Sequence, residues 1–327
     1  MEPLEEAELC FPQLPNSSCR RDERSLSVSL ITYILLSSIS LLTVTLNLLV
    51  IISISHFKQL HSPTNLLLLS LGVSDFFIGF LMIFQIMLTD GCWYLGDLMC
   101  ALYYLMGCIA TSTSIGNMML ISVDRFMAIC FPLHYSTKVT QTRVQVCVCL
   151  CWICSTVFGS LGIDLEHPGR FNSCSGECVF VIDYITGRVD LFLSFIFPVT
   201  VIVVLYMKVF VVAVTQARAM RSHTVTVKVQ TSVNIPAKKS EMKAARTLGV
   251  VIVVFLMCLC PYYCVSLTGQ DTLLNTSSSA FVICLFYFNS CLNPVIYAFF
   301  YPWFRKSIKL IVTLKILQPD SCDTNIT

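Results

Sequence analysis

Two carboxylates, Asp75 and Asp190, stand inside long apolar runs of this 327-residue chain. A central Asp in a membrane helix costs about 2.5–3.5 kcal/mol on insertion scales, so each of them demands a partner or a task. For Asp75 the oxygen donors at hand are Asn47, Ser114, Asn289 and Asn293, a set that suits a small hard cation such as sodium; hydrogen bonding without an ion is the competing arrangement. Asp190 lies eight residues before Pro198. At about 100° per residue of helix, Asp190, Ser194 and Pro198 share one face, whereas Arg188 points away. The expectation is an interior anion that awaits a cation. A third charged feature, Asp124-Arg125-Phe126, and the run Asn293-Pro294-Val295-Ile296-Tyr297 each sit at one end of an apolar stretch.

These residues need a scaffold, and the hydropathy pattern supplies one. Seven apolar stretches, at 26–55, 64–89, 98–123, 144–163, 187–214, 247–268 and 279–301, alternate with polar connectors. Each is near or above the roughly 20 residues that cross about 30 Å of hydrocarbon. Lipid offers the backbone no hydrogen-bond partners, so the crossings must be helices. With 56% apolar and 12% charged residues and a mean hydropathy of +0.77, a soluble fold is excluded. Sixteen of the twenty-one Lys and Arg fall on one side of the resulting topology, which places the N-terminus outside. Thirteen acidic residues against five basic ones face outward, a mouth that attracts cations.

The fold expected is therefore an all-α membrane protein, a seven-transmembrane-helix bundle with an extracellular N-terminus. Residues 1–25 form an outer tail, 26–301 the bundle, and 302–327 a short amphipathic eighth helix and cytoplasmic tail. Within that last segment, Trp303 to Ile311 separates apolar from basic residues, as suits a helix on the inner leaflet. The longest inner connector is expected at 215–243. The acidic start lacks the pattern of a cleaved signal peptide. Asn16 and Asn275 head outward glycosylation sequons. Twelve of eighteen cysteines lie in apolar or inner segments, and six remain outside, Cys10, Cys19, Cys92, Cys100, Cys174 and Cys178, whose pairing the sequence leaves open. Paired catalytic carboxylates, a His-Glu-x-x-His run and an activated serine motif are all missing, so an enzyme is not expected.

Asn47, Asp75, Arg125, Trp152, Pro198, Pro261 and Pro294, one in each stretch and in order, resemble the landmarks of the rhodopsin-like G protein-coupled receptors. Narrower runs, Phe300-Tyr301-Pro302-Trp303-Phe304-Arg305-Lys306, Gly91-Cys92-Trp93-Tyr94 and Lys243-Ala244-Ala245-Arg246-Thr247-Leu248-Gly249, are similar to those of the trace amine-associated receptors, olfactory detectors of volatile amines. The resemblance implies a resting Asp124–Arg125 pair and a G protein cleft lined by Tyr206 and Tyr297 and bordered by Lys243 and Arg246. It implies a relay through Ile115, Pro198 and Phe255; no cofactor is expected beyond the sodium ion that the donors around Asp75 would suit. It also implies a Cys100–Cys178 bridge and a second from Cys174 to the tail, with Cys19 favoured over Cys10. Two departures stand out: Phe126 replaces a Tyr, and Leu259 stands where most members carry a Trp.

Biogenic-amine receptors anchor the ammonium with an Asp eighteen residues before the helix-three Arg, and here that position is Gly107. The anchor at Asp190 instead resembles the fish-type branch of the trace amine receptors; with a single membrane carboxylate, a monoamine lying inverted is the simpler expectation, and Glu177 or Asp183 in the outer loop is the alternative receiver of a second ammonium. Around Asp190 the resemblance places Tyr103, Tyr104, Thr111, Ser194, Tyr262, Tyr263 and Tyr287, whose ring faces suit a cation. The function expected is an olfactory receptor for small protonated amines, in the plasma membrane of sensory cilia, raising cAMP through a stimulatory G protein. Lipid is a partner and nucleic acid is not. The rivals are a same-fold receptor for another ligand or for none, and a cation transporter or channel, which the odd helix count and the missing internal repeat oppose.

Overall fold

In a computed structural model of the protein, residues 8–21, 26–89, 91–162, 174–179, 184–226, 235–268, 276–319 and 321–326 are described. Their helices are α1 (Leu26–His56), α2 (Pro63–Thr89), α3 (Gly96–Cys130), the short α4 (Pro132–Lys138), α5 (Gln141–Gly162), α6 (Tyr184–Leu191), α7 (Phe197–Thr226), α8 (Ile235–Thr268), α9 (Thr276–Phe300) and α10 (Pro302–Val312). A π-helical turn, Phe192–Ile196, joins α6 to α7 so that the two form one span. Six of the seven spans are long and apolar enough to cross a membrane, and the seventh, in α8, has its apolar part at Gly249–Val265.

The radial pattern is that of a protein dissolved in lipid. Leu30, Ile31, Ile34, Leu35, Leu41 and Leu42 of α1 face outward, while Ser40, Thr43, Asn47 and Ser53 of the same helix are buried. Lipid leaves no hydrophobic gain in burying leucines, so small and polar side chains take the interface, where close approach and hydrogen bonds hold helices together. Ser40 donates to the Gly79 carbonyl at 2.8 Å, Trp152 Nε1 to Ser70 at 3.0 Å, and Asn47 to the Ser290 carbonyl at 3.0 Å, linking α1 to α2, α5 to α2 and α1 to α9. A Cβ on Gly79 would come within 2.8 Å of the Thr43 methyl and 3.1 Å of the Val44 backbone nitrogen, so α1 and α2 approach to a distance only glycine permits.

Two expectations about span geometry need correction. The inner connector at 215–243 is largely helical, because α7 runs on to Thr226 and α8 begins at Ile235. Hydropathy marks where lipid ends, and Ala-, Arg- and Lys-rich sequence continues the helix into water. The second correction concerns the helix-five register, which the π-turn interrupts. Pro198 has no N–H to donate, and the Phe197 N–H reaches back five residues to the Phe192 carbonyl.

The C-terminal segment folds back under the bundle. His56 Nε2 lies 2.9 Å from Ser321 Oγ, Lys58 pairs with Asp323 at 3.0 Å, Gln59 accepts from the Ile326 N–H at 3.2 Å, and Ile326 is buried. Hydrogen bonding to Lys58 holds the Asp323 carboxyl below its ordinary pKa and raises that of Lys58. The clasp is therefore complete between those two values, and is lost as pH falls through the lowered Asp323 value or rises through the raised Lys58 value. Both groups are exposed, so salt screens the pair. Lys58→Glu is expected to speed hydrogen exchange at residues 321–326, measured by mass spectrometry, without changing exchange in α1.

Candidate ligand-binding site

Three disulfides build the outer rim: Cys100–Cys178, Cys19–Cys174 and Cys10–Cys92. The first two join the residues that the resemblance implied, and Cys19 rather than Cys10 is the partner of Cys174. The third was not anticipated. It ties the tail to the residues preceding α3, where Trp93 and Cys92 are buried. The tail is laid along the outer loop by bonds from the Cys19 N–H to the Ser175 carbonyl at 2.9 Å and from the Ser175 N–H to the Ser17 carbonyl at 2.7 Å. Gly176 permits this contact, since at φ +105° a side chain would be strained and a Cβ would meet Cys10 at 2.9 Å. Asn16 lies exposed on the resulting cap; Asn275 lies outside the described residues.

Beneath the cap is a cavity of about 730 Å³, whose wall includes Asp190, Tyr103, Tyr104, Gly107, Thr111, Ser194, Tyr262, Tyr263 and Tyr287. Its volume falls in the range of about 300–1,000 Å³ usual for small-molecule sites. Ser194 donates to Asp190 Oδ1 at 2.7 Å. Among the described residues no base forms a salt bridge with Asp190. Arg188, which the helical wheel sends away from Asp190, nevertheless lines the same cavity. Tyr263 stacks on Phe195 at 3.9 Å and 12°, and Tyr262 packs edge-on against it, so the wall beside Asp190 is aromatic. Tyr104 donates to the Cys178 carbonyl at 3.2 Å. A Cβ on Gly107 would meet nothing within 4 Å, which leaves open space on the α3 wall of the cavity. Gln85 was missed by sequence reasoning: it lines the cavity and receives the Tyr103 hydroxyl at 2.5 Å and that of Tyr287 at 3.3 Å. The signal was there, a polar side chain ten residues past Asp75 in an apolar run.

Below the cavity a space of about 10 Å³, roughly one water in size, is lined by Ile78, Thr111, Ser114, Ile115, Leu259, Phe286, Asn289 and Ser290. Leu259 borders it. Next comes Asp75, fully buried, accepting from Ser114 at 3.0 Å and from Asn293 at 2.8 Å. Asn289 Oδ1 is buried without a hydrogen-bond partner, and Asn47 is engaged elsewhere, with the Thr43 and Ser290 carbonyls.

At the inner end, Asp124 binds Arg125 through Nε at 2.9 Å and through Nη2, and also receives Thr64 at 3.0 Å and Tyr135 at 2.7 Å. Arg125 is thus held within its own helix and against α2 and α4. Tyr206 inserts against Gly249, where a Cβ would overlap its hydroxyl, and Tyr297 is buried. Ile115, Phe255 and Leu259 share one core cluster. The side chains of Lys243 and Arg246, on α8, lie outside the described residues.

A bundle of seven spans, with an outer cavity and a charged pair closing the inner end, has the architecture of a membrane receptor, and residues 46–297 match the family of 7 transmembrane receptors (rhodopsin family). Curated relatives narrow the class. Trace amine-associated receptor 13c of Danio rerio is 37% identical, with 98% of this chain and 96% of the relative covered; trace amine-associated receptor 4 of Mus musculus is 35% identical over the same shares. Trace amine-associated receptor 1 of Mus musculus is 35% identical, with 94% and 96% covered. The chain belongs to the trace amine-associated receptors, within the rhodopsin-like G protein-coupled receptors, and is a receptor rather than an enzyme.

Proposed function

We propose that this receptor binds a small protonated amine from outside and signals through a stimulatory G protein to raise cAMP, in the plasma membrane of olfactory sensory cilia. The observation that carries the ligand class is the Asp190 carboxylate, set in the cavity wall with only a serine hydroxyl bonded to it among the described residues. An ammonium there gains a charge-assisted hydrogen bond, about 1.5–3 kcal/mol, while micromolar affinity needs about 8. The balance comes from apolar contact and from the rings of Tyr262 and Tyr263 beside the carboxylate. Binding drives signalling to the extent that the amine prefers the arrangement in which Arg125 leaves Asp124 and the inner cleft opens between Tyr206, Tyr297, Lys243 and Arg246. The names of the relatives support the amine class. In cells expressing the receptor, a panel of primary, tertiary and di-amines is expected to contain agonists that raise cAMP, whereas neutral alcohols of matched length are silent. Equal responses to the neutral set would reject the reading.

The same proposal extends to an allosteric sodium ion held by Asp75, Ser114, Asn289 and Asn293. The residues fit: a buried carboxylate without a basic partner among the described residues, a hydroxyl and an orphaned amide oxygen form an all-oxygen donor set suited to a hard cation. Bound there, the cation would neutralise the interior charge. Sodium is expected to lower agonist affinity about 3- to 10-fold in membranes from cells expressing the receptor, and Asp75→Asn to remove that sensitivity; agonist binding indifferent to sodium in the unmodified receptor would count against the site.

A further inference from the structure

The ligand cavity has a second polar pole. Tyr103 and Tyr287 both direct their hydroxyl protons to one atom, Gln85 Oε1, at 2.5 and 3.3 Å, and their oxygens stand 3.3 Å apart. All three side chains line the cavity, from α2, α3 and α9, whereas Asp190 enters it from α6. The carbonyl of the Gln85 amide is thus engaged twice, and no hydrogen bond from its NH₂ to the protein occurs among the described residues. A primary amide carries two donors as well as its acceptor oxygen, and burying a donor without an acceptor costs free energy. What the cluster offers the cavity is amide N–H, together with the lone pairs of two phenols whose protons are already committed.

We infer that the preferred agonist is bifunctional, an amine whose far end carries a neutral oxygen, such as a hydroxyl or an ether, received by Gln85 between Tyr103 and Tyr287. This deepens the amine reading and rests on Asp190 as the ammonium site. A second ammonium fits the pole less well than a neutral oxygen: the phenol lone pairs accept from it, but among the described residues no carboxylate lines the pole and the amide presents donors to it. A bare alkyl end leaves the amide donors unmatched, and sites built to hydrogen-bond a polar group discriminate against analogues that lack it.

The test measures cAMP potency for three matched-length series, n-alkylamines, ω-hydroxyalkylamines and α,ω-diamines, in the unmodified receptor and in Gln85→Leu, Gln85→Glu and Asp190→Asn, with surface expression measured for each. The amino alcohol of best length is expected to be about 3- to 10-fold more potent than its alkylamine, in line with one neutral hydrogen bond. Gln85→Leu should erase that ratio, the amino alcohol losing potency and the alkylamine gaining it as its bare end meets an apolar wall, and Gln85→Glu should shift preference to the diamine. Should Gln85→Leu fail to reach the surface, Tyr287→Phe supplies the same comparison with a smaller loss. Equal potency of the amino alcohol and the alkylamine, or a diamine preference in the unmodified receptor, would overturn the second pole alone. Potencies unchanged in Asp190→Asn, or silence to every amine, would overturn the ammonium site itself.

Discussion

Asp190→Ala is expected to remove most of the amine-evoked cAMP at concentrations that just saturate the unmodified receptor, with surface expression intact. Asp190, expected from the sequence to be interior, is exposed where it borders the open cavity, so the loss is that of a charge-assisted hydrogen bond, about 1.5–3 kcal/mol or roughly 10- to 150-fold in potency. The fold does not rest on this side chain, whose bond is to Ser194 one turn along the same helix, so loss of signalling without loss of protein at the surface is the distinguishing pattern. The Ala variant also leaves the ammonium beside aromatic rings alone, worth about 0.5–2 kcal/mol, too little to replace the carboxylate. A dose response within threefold of the unmodified receptor would reject Asp190 as the anchor.

The second large effect is a gain. Gly107 faces the cavity with open space where a Cβ would go, so Gly107→Asp adds a carboxylate to α3 without displacing a neighbour. The cavity then holds anions on two walls, and a diamine can satisfy both. A further charge-assisted hydrogen bond of about 1.5–3 kcal/mol corresponds to roughly 10- to 150-fold in diamine potency. The quantity to measure is the ratio of diamine to monoamine potency at equal chain length, which cancels changes in expression. A ratio that stays constant would show that the α3 position does not reach the ligand.

The sequence revealed the scaffold because lipid imposes one simple rule on it, length and apolarity, and because the polar residues that break the rule, Asp75, Asp124, Asp190, Asn289 and Asn293, are few enough to be questioned one by one. What stayed hidden depends on pairing and on local backbone detail. Six outer cysteines give fifteen pairings, and the Cys10–Cys92 bridge emerged only when the tail was seen lying along Ser175 and Gly176. The helical wheel assumed a regular turn through residues 192–196, whereas a π-turn occupies that stretch and shifts Pro198 relative to Asp190; Arg188 and Asp190, both among the described residues and both in the regular α6 before it, form no salt bridge with each other yet border one cavity. Gln85 belongs to no motif, and its role shows only once Tyr103 and Tyr287, distant in sequence, meet on its carbonyl. The C-terminal clasp joins residues some 265 positions apart through single polar contacts that no hydropathy window detects.

The most direct measurement is the position of the ligand nitrogen in an experimental structure of the receptor with a potent amine bound. The expected result is that nitrogen about 2.7–3.2 Å from a carboxylate oxygen of Asp190, with the far end of the ligand toward Gln85. A nitrogen seated instead between Tyr103 and Tyr287, or an Asp190 side chain turned out toward lipid, would contradict it.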